Sequence, residues 1–257
     1  MKVAFGREPG CFGGHWKAGR AILSLWTAAS FATLARQLIR ALIFDFDGLI
    51  LETEEPIYRS WKEVYEARGV ALPFDLWVKT VGSSNQAFHP QRYLEDRLGV
   101  PLSQDVLDRR VARRAELVLA EPLRPGVLDL AKAARARGMK VGVASSSSRD
   151  WVKGHLGRLG ILDRFDCAVC RDDVEHVKPD PDLYLASLEC LGVLAAEAVA
   201  IEDSPNGITA AKSAGLRCVV VPNSITAGLD LSQADLRLNS LADMTLLELI
   251  ERLGRPR

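Results

Sequence analysis

No sign of charge predominates in this chain: 33 Lys and Arg balance 33 Asp and Glu over 257 residues. Domains that bind nucleic acid carry a basic excess, so that class of partner is not expected. A disulfide or zinc framework is equally lacking. The five cysteines, Cys11, Cys167, Cys170, Cys190 and Cys218, are scattered, and Cys167 and Cys170 form a lone C-x-x-C inside the strand-like run from Phe165 to Cys170. With no second pair downstream to complete a zinc site, they read as packing thiols, and the odd, loosely spaced set suits a reducing cytoplasm. There is no internal repeat and no low-complexity tract. Long hydrophobic runs are missing too: the apolar stretch from Ala21 to Ala35 is short for a membrane span. The first forty residues hold one acid, Glu8, against six basic residues, and loosely imitate a signal peptide. Residues 1–39 are read instead as a weakly ordered N-terminal extension, such as an upstream start codon would add, on a cytoplasmic protein with no membrane partner.

What the chain does contain, from Ala41 onward, is an alternation of strands and helices. Strand-like segments fall at Ala41 to Phe46, Lys140 to Ala144, Phe165 to Cys170, Ala198 to Glu202 and Arg217 to Val221. Helical patterns separate the later ones: Val127 to Arg137, Trp151 to Leu159, Asp182 to Leu191 and Gly207 to Ala214. Gly138, Gly160, Gly192 and Gly215 each follow a helical pattern, as C-terminal stops do. This rhythm predicts an α/β fold with a doubly wound, mostly parallel sheet covered by helices on both faces.

One interval breaks the rhythm. Between Pro56 and Pro122 the pattern is helical throughout, with segments at Ile57 to Arg68, Phe74 to Thr80, Gln91 to Leu98 and Gln104 to Ala120. The chain is therefore expected to divide into a core of residues 40–56 and 122–257 and an inserted α-helical cap of residues 57–121. Two crossing points close together are what a hinged lid needs. Trp61 and Trp77 sit at helical spacing and read as core of that cap. His89, just before Pro90, reads as exposed.

The chemistry gathers at strand ends. Asp45 and Asp47 terminate the first apolar strand and meet a Gly turn at Gly48. Two buried carboxylates there call for a cation, a proton or a reacting group, because an unpaired buried carboxylate costs several kcal/mol at least. Open α/β sheets bind ligands beyond the carboxyl ends of their strands. The second strand runs into Ser145, Ser146, Ser147 and Ser148 at a helix start, where hydroxyls and free N–H groups suit phosphate. Lys178 precedes a Pro-pinned turn, and the fourth strand ends in a second acidic pair, Glu202 and Asp203. Mg²⁺ needs only a few hard carboxylate oxygens and a substrate phosphate to complete its shell. The set as a whole is what phosphoryl transfer requires.

On these residues the chain resembles the haloacid dehalogenase superfamily. Asp45-x-Asp47-Gly48, Ser145, Lys178 and Glu202-Asp203 match its four motifs in order and spacing, from about Arg40 to the C-terminus. The helical insert resembles the small cap of the β-phosphoglucomutase-like branch. The resemblance implies a Rossmann-like core and a Mg²⁺-dependent phosphatase acting on a small phosphorylated metabolite, such as a sugar phosphate, through an aspartyl-phosphate intermediate. It implies Asp45 as nucleophile and Asp47 as proton donor and then base. Ser145, Ser146 and Lys178 would hold the phosphate, with Mg²⁺ on Asp45, the Asp47 carbonyl, Glu202 and Asp203. Glu52-Thr53 departs from the usual Asp-Thr or Asp-Ser and predicts a rearranged turn. A hexose-phosphate mutase is the alternative. It is disfavoured because Ile57 stands where β-phosphoglucomutase has a cap histidine, and because Val81 to Gln86 lacks the mutase's cap-loop arginine. A receiver-type signalling module shares the Asp, the Lys and Mg²⁺, but not the inserted cap or the placement of the acidic pair. A pseudoenzyme is opposed by the full set of catalytic residue types.

Overall fold

The computed structural model describes residues 39–78 and 88–254. The expected N-terminal extension, the arginine-free stretch from Val81 to Gln86 and the end of the helix expected to reach Thr80 lie outside the described residues.

Six strands form one parallel sheet: β1 (Ala41–Phe44), β2 (Lys140–Ala144), β3 (Cys167–Val169), β4 (Ala198–Glu202), β5 (Arg217–Val220) and β6 (Leu236–Arg237). Their spatial order is β3-β2-β1-β4-β5-β6, so the winding reverses direction between β1 and β4. That reversal opens a crevice at the carboxyl ends of the two strands, where a ligand site is expected. Strand register brings Phe44 level with both Val143 and Ile201, so Asp45, Ser145 and the Glu202-Asp203 pair emerge together.

Side-chain alternation assigns each strand two faces. Leu42, Phe44, Val141, Val143, Val199, Ile201 and Val219 point to one side, against α5 (Val127–Arg135), α6 (Arg149–Arg158) and α9 (Leu246–Gly254). Ala41, Ile43, Ala144, Ala198, Ala200, Cys218 and Val220 point to the other, against α7 (Asp182–Leu191) and α8 (Pro205–Ser213). Because both faces are covered, β1 and β4 are buried along their whole length, and every residue in them is apolar except Glu202 at the end of β4.

Between β1 and α5 come α1 (Glu54–Glu66), α2 (Phe74–Trp77), α3 (Pro90–Leu98) and α4 (Gln104–Ala120). Trp61, Val64, Tyr65, Leu72, Trp77, Phe88 and Leu94 form a separate buried cluster of this insert, completed by Ile225 from the loop after β5. His89 is exposed. Among the described residues, no helix is long and apolar enough to cross a membrane.

The reading of Cys167 and Cys170 as two packing thiols needs correction. Cys167 is bonded to Cys190, tying β3 to α7, while Cys170 and Cys218 are free and buried. Three residues along an extended chain reverse the side-chain direction, which sends Cys167 and Cys170 to opposite faces of the sheet.

Candidate active site

Asp45, Asp47, Ser146, Lys178 and Asp203 line a single pocket of about 500 Å³, joined by Glu54 and Ile57 from the start of α1 and by Arg114 from α4. Its floor is an ion cluster. Lys178 Nζ donates to Asp45 Oδ1 at 2.5 Å and to the Ala144 carbonyl at 2.8 Å, and lies 2.7 Å from Glu202 Oε1. The Tyr184 hydroxyl, on α7, donates to the same Glu202 oxygen, and the lysine sits 5.3 Å from the Tyr184 ring centroid. Burial works against the Lys178 ammonium, yet Asp45 and Glu202 outweigh it and hold its pKa above the ordinary lysine value. Burial pushes Asp45 up to about 7, with Lys178 pulling the other way. It also raises Asp203 well above the usual carboxylate range, with Asp45 and Glu202 adding repulsion.

Two glycines make this crowding possible. Gly48 has φ +76°, and a Cβ there would overlap Asp203 Oδ2 and Asn223 Nδ2. A Cβ on Gly207, in the first turn of α8, would overlap the Glu202 carboxylate. Asn223, just beyond β5, donates to Asp203 Oδ2 at 2.7 Å and so aims that carboxylate.

Asp45, Glu202 and Asp203 each place one oxygen within 4.8 Å of the others. Three buried carboxylates around one lysine leave an excess of negative charge, and the donor set is all hard oxygen, so the residues fit a divalent cation such as Mg²⁺. Glu202 differs from the other two. It is fully buried, does not line the pocket, and is engaged by Lys178, Tyr184 and the Asp203 N–H.

Asp47 is surrounded by donors. Thr53 Oγ1 at 3.0 Å and Trp151 Nε1 at 2.9 Å reach Oδ1; Ser147 Oγ at 2.7 Å and Ser145 Oγ at 3.4 Å reach Oδ2. Ser145 is fully buried and lies behind the pocket wall, its hydroxyl also accepting the Ser147 N–H at 3.0 Å. Ser146, Ser147 and Ser148 form the wall itself. Glu52 Oε1 accepts the N–H groups of Glu54 and Glu55, so the departure at Glu52-Thr53 produces a side-chain cap on α1. Burial, reinforced by Asp47, Glu52 and Asp45, raises the Glu54 carboxyl to about 8.

The sequence reading missed Glu54, Ser147, Trp151, Tyr184 and Asn223 as parts of the site. Ser147 sits in the serine run it did single out, and Glu54 is an acid in a first helical turn facing the D-x-D strand. Nothing local flags Trp151, Tyr184 or Asn223, whose partners lie 104, 18 and 20 residues away.

Comparison with known proteins bears on the same residues. A family model described as haloacid dehalogenase-like hydrolase matches residues 39–215. YhcW of Bacillus subtilis is 46% identical over 218 residues, covering 84% of this chain and 99% of its own. Hexitol phosphatase B of Escherichia coli K12 is 32% identical over 219 residues, covering 84% and 98%. The crystal structure of CbbY from Rhodobacter sphaeroides in complex with phosphate superposes with a TM-score of 0.61 at 31% identity, covering 80% of this chain and 96% of that one. With a matching fold, a phosphate-suited pocket and relatives of this kind, the chain belongs to the haloacid dehalogenase-like hydrolases and, within them, to the enzymes that act on phosphate esters.

Proposed function

We propose that this enzyme is a Mg²⁺-dependent phosphatase that hydrolyses a small phosphorylated carbohydrate through an aspartyl-phosphate intermediate, in the cytoplasm. The observation that carries the reading is the convergence of Asp45, Asp47, Lys178 and Asp203 on one pocket at the sheet's switch point. Asp45 attacks phosphorus, and its ion pair with Lys178 aims the carboxylate and opposes the protonation that burial favours. Asp47 gives its proton to the leaving oxygen, then accepts one from the water that hydrolyses the intermediate. Lys178 and Ser146 receive phosphoryl oxygens, while Ser145 supports them from behind through Asp47 and Ser147.

Asp45 and Asp203 would hold the cation with the Asp47 carbonyl, and Glu202 would orient Lys178 and supply charge nearby. Mg²⁺ bound there supplies neutralisation of the charge on the transferring phosphoryl group. The carbohydrate assignment draws on hexitol phosphatase B, whose name states its substrate class. Hydrolysis is favoured over a mutase reaction because Ile57 lines the pocket with an apolar side chain that can neither donate nor accept a proton.

The test is phosphate release from a panel of sugar and alditol phosphates, with and without EDTA. Turnover should need a divalent cation, and Asp45→Asn should lose about a thousand-fold or more in kcat. Full activity of Asp45→Asn on p-nitrophenyl phosphate would overturn the assignment. So would conversion of β-glucose 1-phosphate to the 6-phosphate without net phosphate release.

A further inference from the structure

We propose that the substrate carries a second anionic group, a carboxylate or a further phosphate, and that Arg114 of the insert receives it. The inference rests on the phosphatase reading and narrows its substrate class to phosphorylated carbohydrates with a charged second end. Arg114 lies on α4 and lines the pocket. Among the described residues its side chain makes no hydrogen bond or ion pair, and its Nε is buried without a partner. A guanidinium offers five donors and cannot shed its charge, so drawing it from water with no acceptor is unfavourable until an anion arrives. The Trp151 ring, 5.5 Å from the guanidinium carbon to the centroid, supports its face. That leaves the N–H edge free for a paired contact with a carboxylate or phosphate.

Arg110, one turn earlier on the same helix, is in the same condition. Its Nε is buried without a partner, its guanidinium carbon lies 4.6 Å from the Trp61 ring centroid, and its contact with the Ser60 hydroxyl is long at 3.5 Å. Like charges four positions apart on a helix repel each other. The other arginines of this stretch are compensated: Arg109 pairs with Asp105, and Arg113 with Glu63 and Glu116. The helix thus neutralises two of its arginines and leaves the two that stack on tryptophans positive.

The core adds a further cation to the pocket. Arg171, whose backbone N–H is bonded to the Ser147 carbonyl at 3.0 Å, lines the same cavity. The acids that follow it are taken by Arg149, whose N–H reaches Asp172 Oδ2 at 2.6 Å and whose guanidinium pairs with Asp173. The pocket acids stand apart from these arginines. The largest charge influences on Asp45, Glu54 and Asp203 come from one another and from Asp47, Glu52, Glu202 and Lys178. Trp151 sets the spacing between the two regions, since its indole N–H donates to Asp47 while its ring carries Arg114. The guanidinium therefore stands about one indole ring from the reacting end, a gap that a small carbohydrate bridges. A neutral alditol would leave Arg114 covered and unanswered, whereas an anionic end meets it.

The experiment measures phosphate release by the full chain at saturating Mg²⁺ from glucitol 6-phosphate, with no second charge, 6-phosphogluconate, with a carboxylate, and fructose 1,6-bisphosphate, with a further phosphate. Wild type should favour at least one doubly charged ester over glucitol 6-phosphate by about ten-fold or more in kcat/KM, chiefly through KM, and the one favoured identifies the anion. Arg114→Met, which keeps an unbranched stem against Trp151, should cut that preference by about ten- to a hundred-fold. Arg114→Lys should keep part of it. Where Met is not accommodated, as judged by thermal melting, Arg114→Gln must show the same fall. Calorimetric titration of Asp45→Asn with the three compounds gives a readout without turnover: the favoured ester should bind more tightly than glucitol 6-phosphate, by a margin that shrinks with added salt. An equal or greater kcat/KM for glucitol 6-phosphate, or a preference that survives in Arg114→Met, overturns the inference and leaves the phosphatase reading standing. No phosphate release from these three or from p-nitrophenyl phosphate sinks both.

Discussion

Replacing Lys178 by Met probes the ion cluster most directly. The substitution keeps an unbranched side chain of similar length and removes one positive charge from between Asp45 and Glu202, both buried. Breaking a buried pair by deleting one partner costs about 3–5 kcal/mol, because the remaining charge is left desolvated and unopposed. For a unit of this size that corresponds to a fall in Tm of roughly 6–20 °C. The loss should depend on pH, with a sign that follows from Asp45. Its carboxyl is already raised to about 7 by burial with the lysine present, and goes higher without it. An acid whose folded-state pKa exceeds its unfolded value loses stability as pH rises through the folded pKa. The variant should therefore lie well below wild type at pH 8 in EDTA, and the gap should narrow at pH 5.5, where Asp45 takes up a proton. Scanning calorimetry at the two pH values in EDTA measures it. A gap that is the same at both, or absent at pH 8, would refute the view that Lys178 is held by charge compensation.

Glu54→Gln should behave in the opposite sense. Glu54 is raised to about 8, so in metal-free wild-type protein its contribution to stability is lost as pH rises from about 4.5 through 8, and the glutamine variant escapes that loss. The full shift corresponds to about 5 kcal/mol, which solvent in the pocket reduces to about 1–2 kcal/mol. Melting curves in EDTA should coincide near pH 5 and favour Glu54→Gln at pH 8.5; coincidence at both would count against the buried setting of Glu54. The Cys167–Cys190 bond closes a loop with a sequence separation of 23, worth about 3 kcal/mol. Dithiothreitol should lower the wild-type Tm and leave Cys190→Ser unmoved, and a reductant-insensitive wild type would show that the bond is not formed in solution.

The sheet was legible wherever a strand is both long and buried. β2 and β4 run over the residues their apolar pattern predicts, because burial on both faces leaves no polar alternation to blur the ends. β6 escaped the reading since two residues, Leu236 and Arg237, cannot display a period; its existence depends on pairing with Val219 and Val220 of β5. α9 was missed as well, although Leu246 and Leu249 are buried against the sheet's helical layer. In the pocket, groups contributed by short acidic or basic motifs could be read from local order. Asn223 and Tyr184 could not, because each acts on an acid that another strand delivers, and only the parallel register brings them together. The cystine was invisible for the same reason: Cys190 reaches Cys167 only because α7 packs across β3.

The short loop after β5 carries two unlike anchors, Asn223 and Ile225, with one residue between them. Asn223 grips Asp203, and Ile225, almost wholly shielded, is embedded among the aromatic side chains of the insert. Thr226 and Ile225 both send their N–H groups to Asn223 Oδ1, which makes the segment a stiff bracket rather than a slack tether. Extracting Ile225 would expose a large aliphatic group to water at about 1.5–3 kcal/mol and would pull on the residue that aims a cation-side carboxylate. Packing of the insert and aim of the acidic floor therefore share one short strip of backbone, from Asn223 to Thr226.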